Sequence, residues 1–220
     1  EVEVAIYGEP EARANQLGAS VLNEFDRLHH KFHAWQPSAL TSLNEAIARG
    51  ESFQADAEMV SLLQSATQLA ERSDNLFNPA IGHLIRLWGF QSSDITVHAP
   101  APAEIKQWVD ANPRMSDLRY DGTRVSSRNT AVMIDLGGYA KGYALDRAAR
   151  LLRDAHVKAA LINIGGNQLV GPAKYSPQKP FAGGPSALSR LERDVLTLSG
   201  VKAVIWLEGI NDFSKNGNTE

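Results

Sequence analysis

The densest chemistry in this chain lies in Asp135-Leu136-Gly137-Gly138-Tyr139-Ala140-Lys141-Gly142-Tyr143-Ala144-Leu145-Asp146. A carboxylate closes an apolar run, and two glycines allow a ligand close to the backbone. Lys141 falls in the first turn of a predicted helix, where free N–H groups attract anions. Phosphate is the natural guest of such a turn. The spacing is neither G-x-G-x-x-G nor a P-loop, so both common nucleotide fingerprints are absent. The same residues also suit a tight strand-to-helix turn, with Lys141 and Asp146 in solvent and Asp135 as a helix cap. A second cluster, His29-His30-x-x-His33, puts His29 and His33 on one helix face. With no carboxylate partner evident, a solvated helix face is expected there rather than a metal site.

The composition fits one large domain or two small ones: 220 residues, 43% hydrophobic and 21% charged. Disordered, collagen-like and coiled-coil classes are excluded by these values. The 22 Lys+Arg against 25 Asp+Glu give a net charge of -3, which supplies no drive toward nucleic acid or an anionic membrane. The chain has no Cys, so disulfides, thiolate nucleophiles, Fe–S clusters and Cys-based zinc sites are out, and any metal is held by oxygen or His. No apolar run approaches the roughly 18 residues of a membrane span. The acidic start Glu1-Val2-Glu3-Val4 is unlike the basic region of a signal peptide.

Alternation of Val2, Val4 and Ile6 before Gly8-Glu9-Pro10 predicts a half-buried strand. Leu17, Val21, Phe25, Leu28 and Phe32 recur at three and four and predict a helix over 11–33. A short helix around 40–47 follows, then one marked by Met59, Leu62, Leu63, Ala66 and Leu69, which Ser73-Asp74-Asn75 ends. Residues 93–102 read as a surface excursion before a helix over 102–111. Asp121-Gly122 predicts a two-residue hairpin. Residues 131–135, 140–155 and 157–164 read as strand, helix and strand, a βαβ unit with a parallel crossover. A helix over 185–198 and a strand over 201–207 suggest a second unit after a long Gly- and Pro-rich connection.

Asp135 to Asp146, with Leu161-Ile162-Asn163-Ile164-Gly165-Gly166-Asn167, resembles the ApbE-type FAD:protein FMN transferases. Two earlier blocks fall in the same order: Trp35-Gln36-Pro37-Ser38-Ala39-Leu40-Thr41-Ser42-Leu43-Asn44, and Phe77-Asn78-Pro79-Ala80-Ile81-Gly82 running to Leu87-Trp88-Gly89-Phe90. The resemblance implies that Asn78 and the Trp88-Gly89-Phe90 turn flank FAD. It implies also that Asp135 and Lys141 contact FAD, that Gly137 and Gly138 admit its diphosphate, and that the Gly138 backbone helps hold Mg²⁺. The implied reaction transfers FMN from FAD to a Ser or Thr of an acceptor protein, at a periplasmic or envelope-facing site. The family's late His-x-x-Asp-Pro-x-Thr-Gly block has no counterpart here, since no His follows His156. Impaired transfer is therefore expected of these residues.

Gly209-Ile210-Asn211-Asp212, after Val201 to Leu207, resembles the G-x-N-D block of SGNH/GDSL hydrolases, in which the Asn is an oxyanion donor. Gly166 is a second donor in that alternative. The nucleophile block and the late D-x-x-H pair are missing, so no complete triad is present. These signatures together predict an α+β fold, α/β-like toward its C-terminal end. Residues 1–165 form the flavin-binding part and 166–220 a hydrolase-like segment, a chimera joined in the glycine turn. An exposed sheet edge at such a joint favours a homo-oligomer. The competing expectation is a folded, inactive scaffold.

Overall fold

Residues 2–92, 99–164, 167–170 and 206–207 are described by a computed structural model. The chain divides into two units, one of Glu1–Asp26 with Lys141–Glu220, the other of Arg27–Ala140.

In the first unit the alternation at the N-terminus produces β1 (Val2–Tyr7), which Gly8 ends at a positive φ of 78°. Helix α1 (Glu11–Phe32) begins here, and α6 (Ala140–Asp154) carries the second apolar stripe. Val21, Leu145, Ala148, Leu152 and Ile162 are buried together, with Val4, Ile6, Leu17 and Phe25 packed around them. Apolar positions at helical spacing on both helices thus meet one face of the sheet. That sheet has the order β1-β5-β6-β7, with β5 at Ala159–Ile164, β6 at Asn167–Val170 and β7 at Trp206–Leu207.

The expected parallel βαβ unit does not form. β5 runs antiparallel to β1, from Val2 opposite Ile164 to Tyr7 opposite Ala159, and antiparallel to β6 on its other side. Residues 131–135 join no ladder, and Met133 makes a single parallel bridge to Ile81. The apolar run was a sound sign of burial, since Val132, Met133, Ile134 and Leu136 are all buried. Its backbone partners are a loop and a side chain rather than a neighbouring strand.

The second unit holds the end of α1, α2 (Ala39–Ala48), β2 (Phe53–Gln54), α3 (Ala57–Arg72), α4 (Gly82–Leu87), α5 (Pro102–Ala111), β3 (Leu118–Asp121) and β4 (Arg124–Ser127). Asp56 caps α3 by accepting from the Met59 N–H at 2.8 Å, and Asp74 and Asn75 end it in left-handed conformations. The three-stranded sheet has the order β2-β4-β3. Its hairpin pairs Asp121 with Arg124, so the two central residues are Gly122-Thr123, one position later than Asp121-Gly122. Gly122 has φ 59°, the first-position glycine of a type II′ turn. Helix α4 and strand β2 are too short for periodicity to announce them. Among the described residues no helix is long and apolar enough to cross a membrane.

The predicted helix over 185–198, most of the strand over 201–207, and the positions of Gly166 and Asn211 lie outside the described residues.

Candidate functional site

The site is built from the Ser38–Asn44 segment outward. Ser38 caps α2 by accepting from the Thr41 N–H at 3.0 Å, and the Ser38 N–H donates to Thr41 Oγ1 at 2.9 Å. This reciprocal cap starts the helix in a phase that buries Leu40, Leu43, Asn44 and Ile47. Asn44 is thereby carried inward, where its Nδ2 donates to the Ile134 carbonyl at 2.9 Å and its Oδ1 accepts from the Ile134 N–H at 2.8 Å. A primary amide copies what a neighbouring strand would offer.

The opposite side of the 132–135 segment is held by the loop before α4. Met133 N–H donates to Ala80 O at 3.2 Å, Gly82 N–H to Met133 O at 2.7 Å, and Asp135 N–H to Pro79 O at 2.9 Å. A Cβ on Gly82 would lie 2.6 Å from that Met133 oxygen, so only glycine permits the approach. Asn78 fixes the loop itself: its Nδ2 donates to Pro113 O at 2.9 Å and its Oδ1 accepts from Ala80 N–H at 3.1 Å. Expected from sequence to flank a ligand, Asn78 uses its amide to shape the backbone.

Clamped on both sides, the segment delivers Asp135, which is only 8% exposed. Its Oδ1 accepts from the Gly137 N–H at 2.8 Å, and its Oδ2 accepts from Gln91 Nε2 at 2.7 Å. Both carboxylate oxygens are engaged inside the protein, so Asp135 orders the glycine turn from behind. Gly137 is needed for that contact, since a Cβ there would stand 3.0 Å from Asp135 Oδ1. Gly138 differs. It is exposed, and an added Cβ would meet nothing nearer than Phe77 Cε2 at 3.8 Å. Nothing in the packing of the described residues demands glycine at this position. The turn closes with the Tyr139 and Ala140 N–H groups donating to Leu136 O at 2.8 and 2.7 Å. Phe77 and Tyr139 lie beside it with ring centroids 6.1 Å apart. Lys141, the second residue of α6, is exposed and belongs to the first unit.

The Trp88-Gly89-Phe90 turn is the C-terminal cap of α4. Gly89 N–H donates to Arg86 O at 2.9 Å and Phe90 N–H to Ile85 O at 3.1 Å, with Gly89 at φ 79°. This pair of bonds is the Schellman arrangement. It usually tucks the following apolar side chain back onto the helix, but Phe90 here is 73% exposed and Trp88 46%. Two aromatic rings are thus held at the surface by a rigid turn, and the next residue is the Gln91 that binds Asp135.

The histidine cluster packs ring on ring, with the His29 and His33 centroids 4.8 Å apart. His33 Nδ1 accepts from the Trp35 and Gln36 N–H groups at 3.3 and 3.1 Å, so the ring is used as a loop anchor. Burial pushes its pKa down, the neighbouring His29 and His30 add to this, and the Asp135 carboxylate opposes it. Both backbone donors need a bare Nδ1, which agrees with a neutral ring. Among the described residues no group of three or more His, Asp or Glu side chains converges on a metal position. Asp135 is 8% exposed and turned inward with a hydrogen bond on each oxygen, and Gly138 offers only backbone, so the described residues do not assemble a side-chain ligand set for a resident Mg²⁺.

Gln91 was not singled out from the sequence, because a glutamine opening a polar stretch carries no local signal. The role of Asn44 likewise depends on a partner ninety positions away.

The glycine turn, the aromatic cap and the Asn44 clamp coincide with the blocks that carry the family resemblance, and the comparison with known proteins decides the matter. The profile of the ApbE family matches residues 1–194. This chain belongs to the ApbE family. An FAD:protein FMN transferase of Rhodobacter capsulatus is 38% identical over 206 residues, covering 90% of this chain and 39% of that protein. One from Klebsiella pneumoniae (strain 342) is 35% identical over 135 residues, covering 59% of this chain and 41% of its own length. The ApbE protein of Thermotoga maritima superposes with a TM-score of 0.69 at 28% identity, over 80% of this chain and 56% of that one. The flavin transferase ApbE of Vibrio cholerae gives 0.70 at 19% identity over 79% of this chain and 56% of its own, a likeness of fold. The chain therefore spans about two fifths of the length of these two curated relatives. The α+β class holds. The ApbE match takes in Gly166 and crosses the glycine turn where a junction with a hydrolase was expected, so no chimera is shown.

Proposed function

We propose that this chain binds FAD as the substrate-binding part of an FAD:protein FMN transferase. The observation that carries the proposal is Gly138, an exposed glycine that no contact among the described residues requires, in a turn held from behind by Asp135 and leading into α6. Backbone open to this degree at a helix start suits a diphosphate, whose charge the positive end of the helix complements. Lys141 at the second position of α6 carries the cationic part of the assignment, and Trp88 and Phe90 offer exposed rings for a flavin or adenine.

Transfer breaks the phosphoanhydride of FAD, joins the FMN phosphorus to an acceptor Ser or Thr oxygen, and releases AMP. A process of this kind depends on charge stabilisation and positioning more than on covalent help from the protein. The described residues supply positioning: they orient the turn, keep the Asp135 carboxylate directed inward, and leave the Gly138 backbone open. Mg²⁺ enters only as a counter-ion that the diphosphate brings with it, and no step is assigned to it. Because the family's His-containing block is absent from these 220 residues, they are proposed to bind FAD while transferring poorly on their own. A periplasmic or envelope-facing site and a protein acceptor complete the proposal by family resemblance, and a homo-oligomer is proposed from an open sheet edge.

Titration with FAD, followed by flavin fluorescence with and without Mg²⁺, tests it. Saturable quenching is the expected result, and its absence in both conditions overturns the proposal. Lys141→Ala is expected to weaken FAD by about fivefold, the scale of one surface charge on an anion. Unchanged affinity would place the diphosphate elsewhere.

A further inference from the structure

We propose that Gln91 is a positioning residue that ties the aromatic cap of α4 to the glycine turn, so that one bound dinucleotide meets both in a fixed relation. This inference rests on the assignment of FAD above and extends it to a residue outside the family's motif blocks.

Three observations support it. Gln91 Nε2 donates to Asp135 Oδ2 at 2.7 Å, a short bond to a charged acceptor. Asp135 in turn holds Gly137 N–H through its other oxygen at 2.8 Å, so the turn inherits whatever orientation Gln91 imposes. In the chain, Gln91 directly follows Phe90, whose backbone is fixed by its bond to Ile85 O. One amide thus closes a mechanical link from the exposed aromatic rings to the open backbone at Gly138.

The link is kept against a penalty. Gln91 Oε1 is buried and accepts no hydrogen bond among the described residues. A buried acceptor without a donor is unfavourable, and a stable fold alone has no need of it. An apolar side chain of the same length would fill the space without that burden, but it would leave Asp135 Oδ2 unheld. The amide is the neutral group that donates to the carboxylate without competing with it for charge.

The test compares wild type, Gln91→Met, Gln91→Ala and Gln91→Glu for FAD affinity by fluorescence and for thermal melting. Gln91→Met keeps the volume and keeps the test alive should the alanine variant fail to fold. It is expected to weaken FAD by about tenfold, the value of one hydrogen bond to a charged group, and to lower melting as well, since Asp135 Oδ2 is left unheld. Gln91→Glu sets two carboxylates together, which share a proton in acid and repel in base. Its FAD affinity is expected to fall by about tenfold between pH of about 5.5 and about 8, while Gln91→Met shows no matching fall beyond that of wild type. A purely structural role would lower melting without creating that pH profile.

Wild-type binding with Gln91→Met within about twofold of it, or a flat Gln91→Glu profile, overturns the role of Gln91 and leaves the FAD assignment standing. No saturable binding by wild type overturns both.

Discussion

Asn44 closes both backbone hydrogen bonds of Ile134, at 2.9 and 2.8 Å, and so stands in for a strand that the fold does not supply. The next residue is Asp135, whose carboxylate organises the glycine turn. A helix residue therefore sets the height and direction of the site through one side-chain amide. Asn44→Ala would leave a buried N–H and a buried carbonyl without partners. A loss of roughly 2–4 kcal/mol is expected by chemical denaturation, together with weaker FAD binding in whatever fraction remains folded. A loss under roughly 0.5 kcal/mol would mean that the segment holds its course without Asn44.

Gly82 makes a second, steric prediction. A methyl group there meets the Met133 carbonyl at 2.6 Å and the Met133 Cγ at 2.9 Å, and the first of these is backbone that cannot swing aside. Gly82→Ala is expected to cost about 1–3 kcal/mol in denaturant melts, although alanine is ordinarily the better helix residue. Unchanged or raised stability would show that the loop and the 132–135 segment are not in contact through this glycine.

Glu58 contributes to the acid limb of stability. Arg27 donates two bonds to it at 2.8 and 2.7 Å and Lys31 a third at 2.6 Å. The Arg27 bonds are the main cause holding its carboxyl down to about 2, from an ordinary 4.5, with burial working the other way and Lys31 reinforcing the shift. The folded value lies below the unfolded one, so the stabilisation is complete above about 4.5 and is lost as pH falls from there toward about 2. Glu58→Gln is expected to be about 1 kcal/mol less stable than wild type near neutrality, with the two melting curves converging in acid. A difference that stays constant down to pH of about 2 would contradict the ion-pair assignment.

The amphipathic helices and the N-terminal strand were legible in the sequence because each declares itself locally, as Leu17, Val21 and Phe25 do by their spacing. The glycine turn was legible for the same reason, since Asp135, Gly137 and Gly138 lie within four positions. What local pattern could not give was the partner of a buried run. Val132 to Leu136 are apolar enough for a central strand, and only the tertiary bonds to Asn44 and to the Pro79–Gly82 loop show that no strand lies alongside among the described residues. The inward direction of Asp135 was hidden likewise, because it depends on Gln91 across 44 positions. The bond by which Asn78 holds its own loop to Pro113 was equally hidden, since its partner lies 35 positions away.

The most direct test of the central claim is the equilibrium affinity for FAD of wild type and Gly138→Ala, measured beside their melting curves. The alanine Cβ has room within the protein, its nearest neighbour being Phe77 Cε2 at 3.8 Å, so melting should match wild type within about 0.5 kcal/mol. If the diphosphate lies against this backbone, the same methyl group obstructs it, and FAD affinity should fall by about tenfold or more. Equal affinity in the two proteins, or no saturable binding by wild type, would contradict the account.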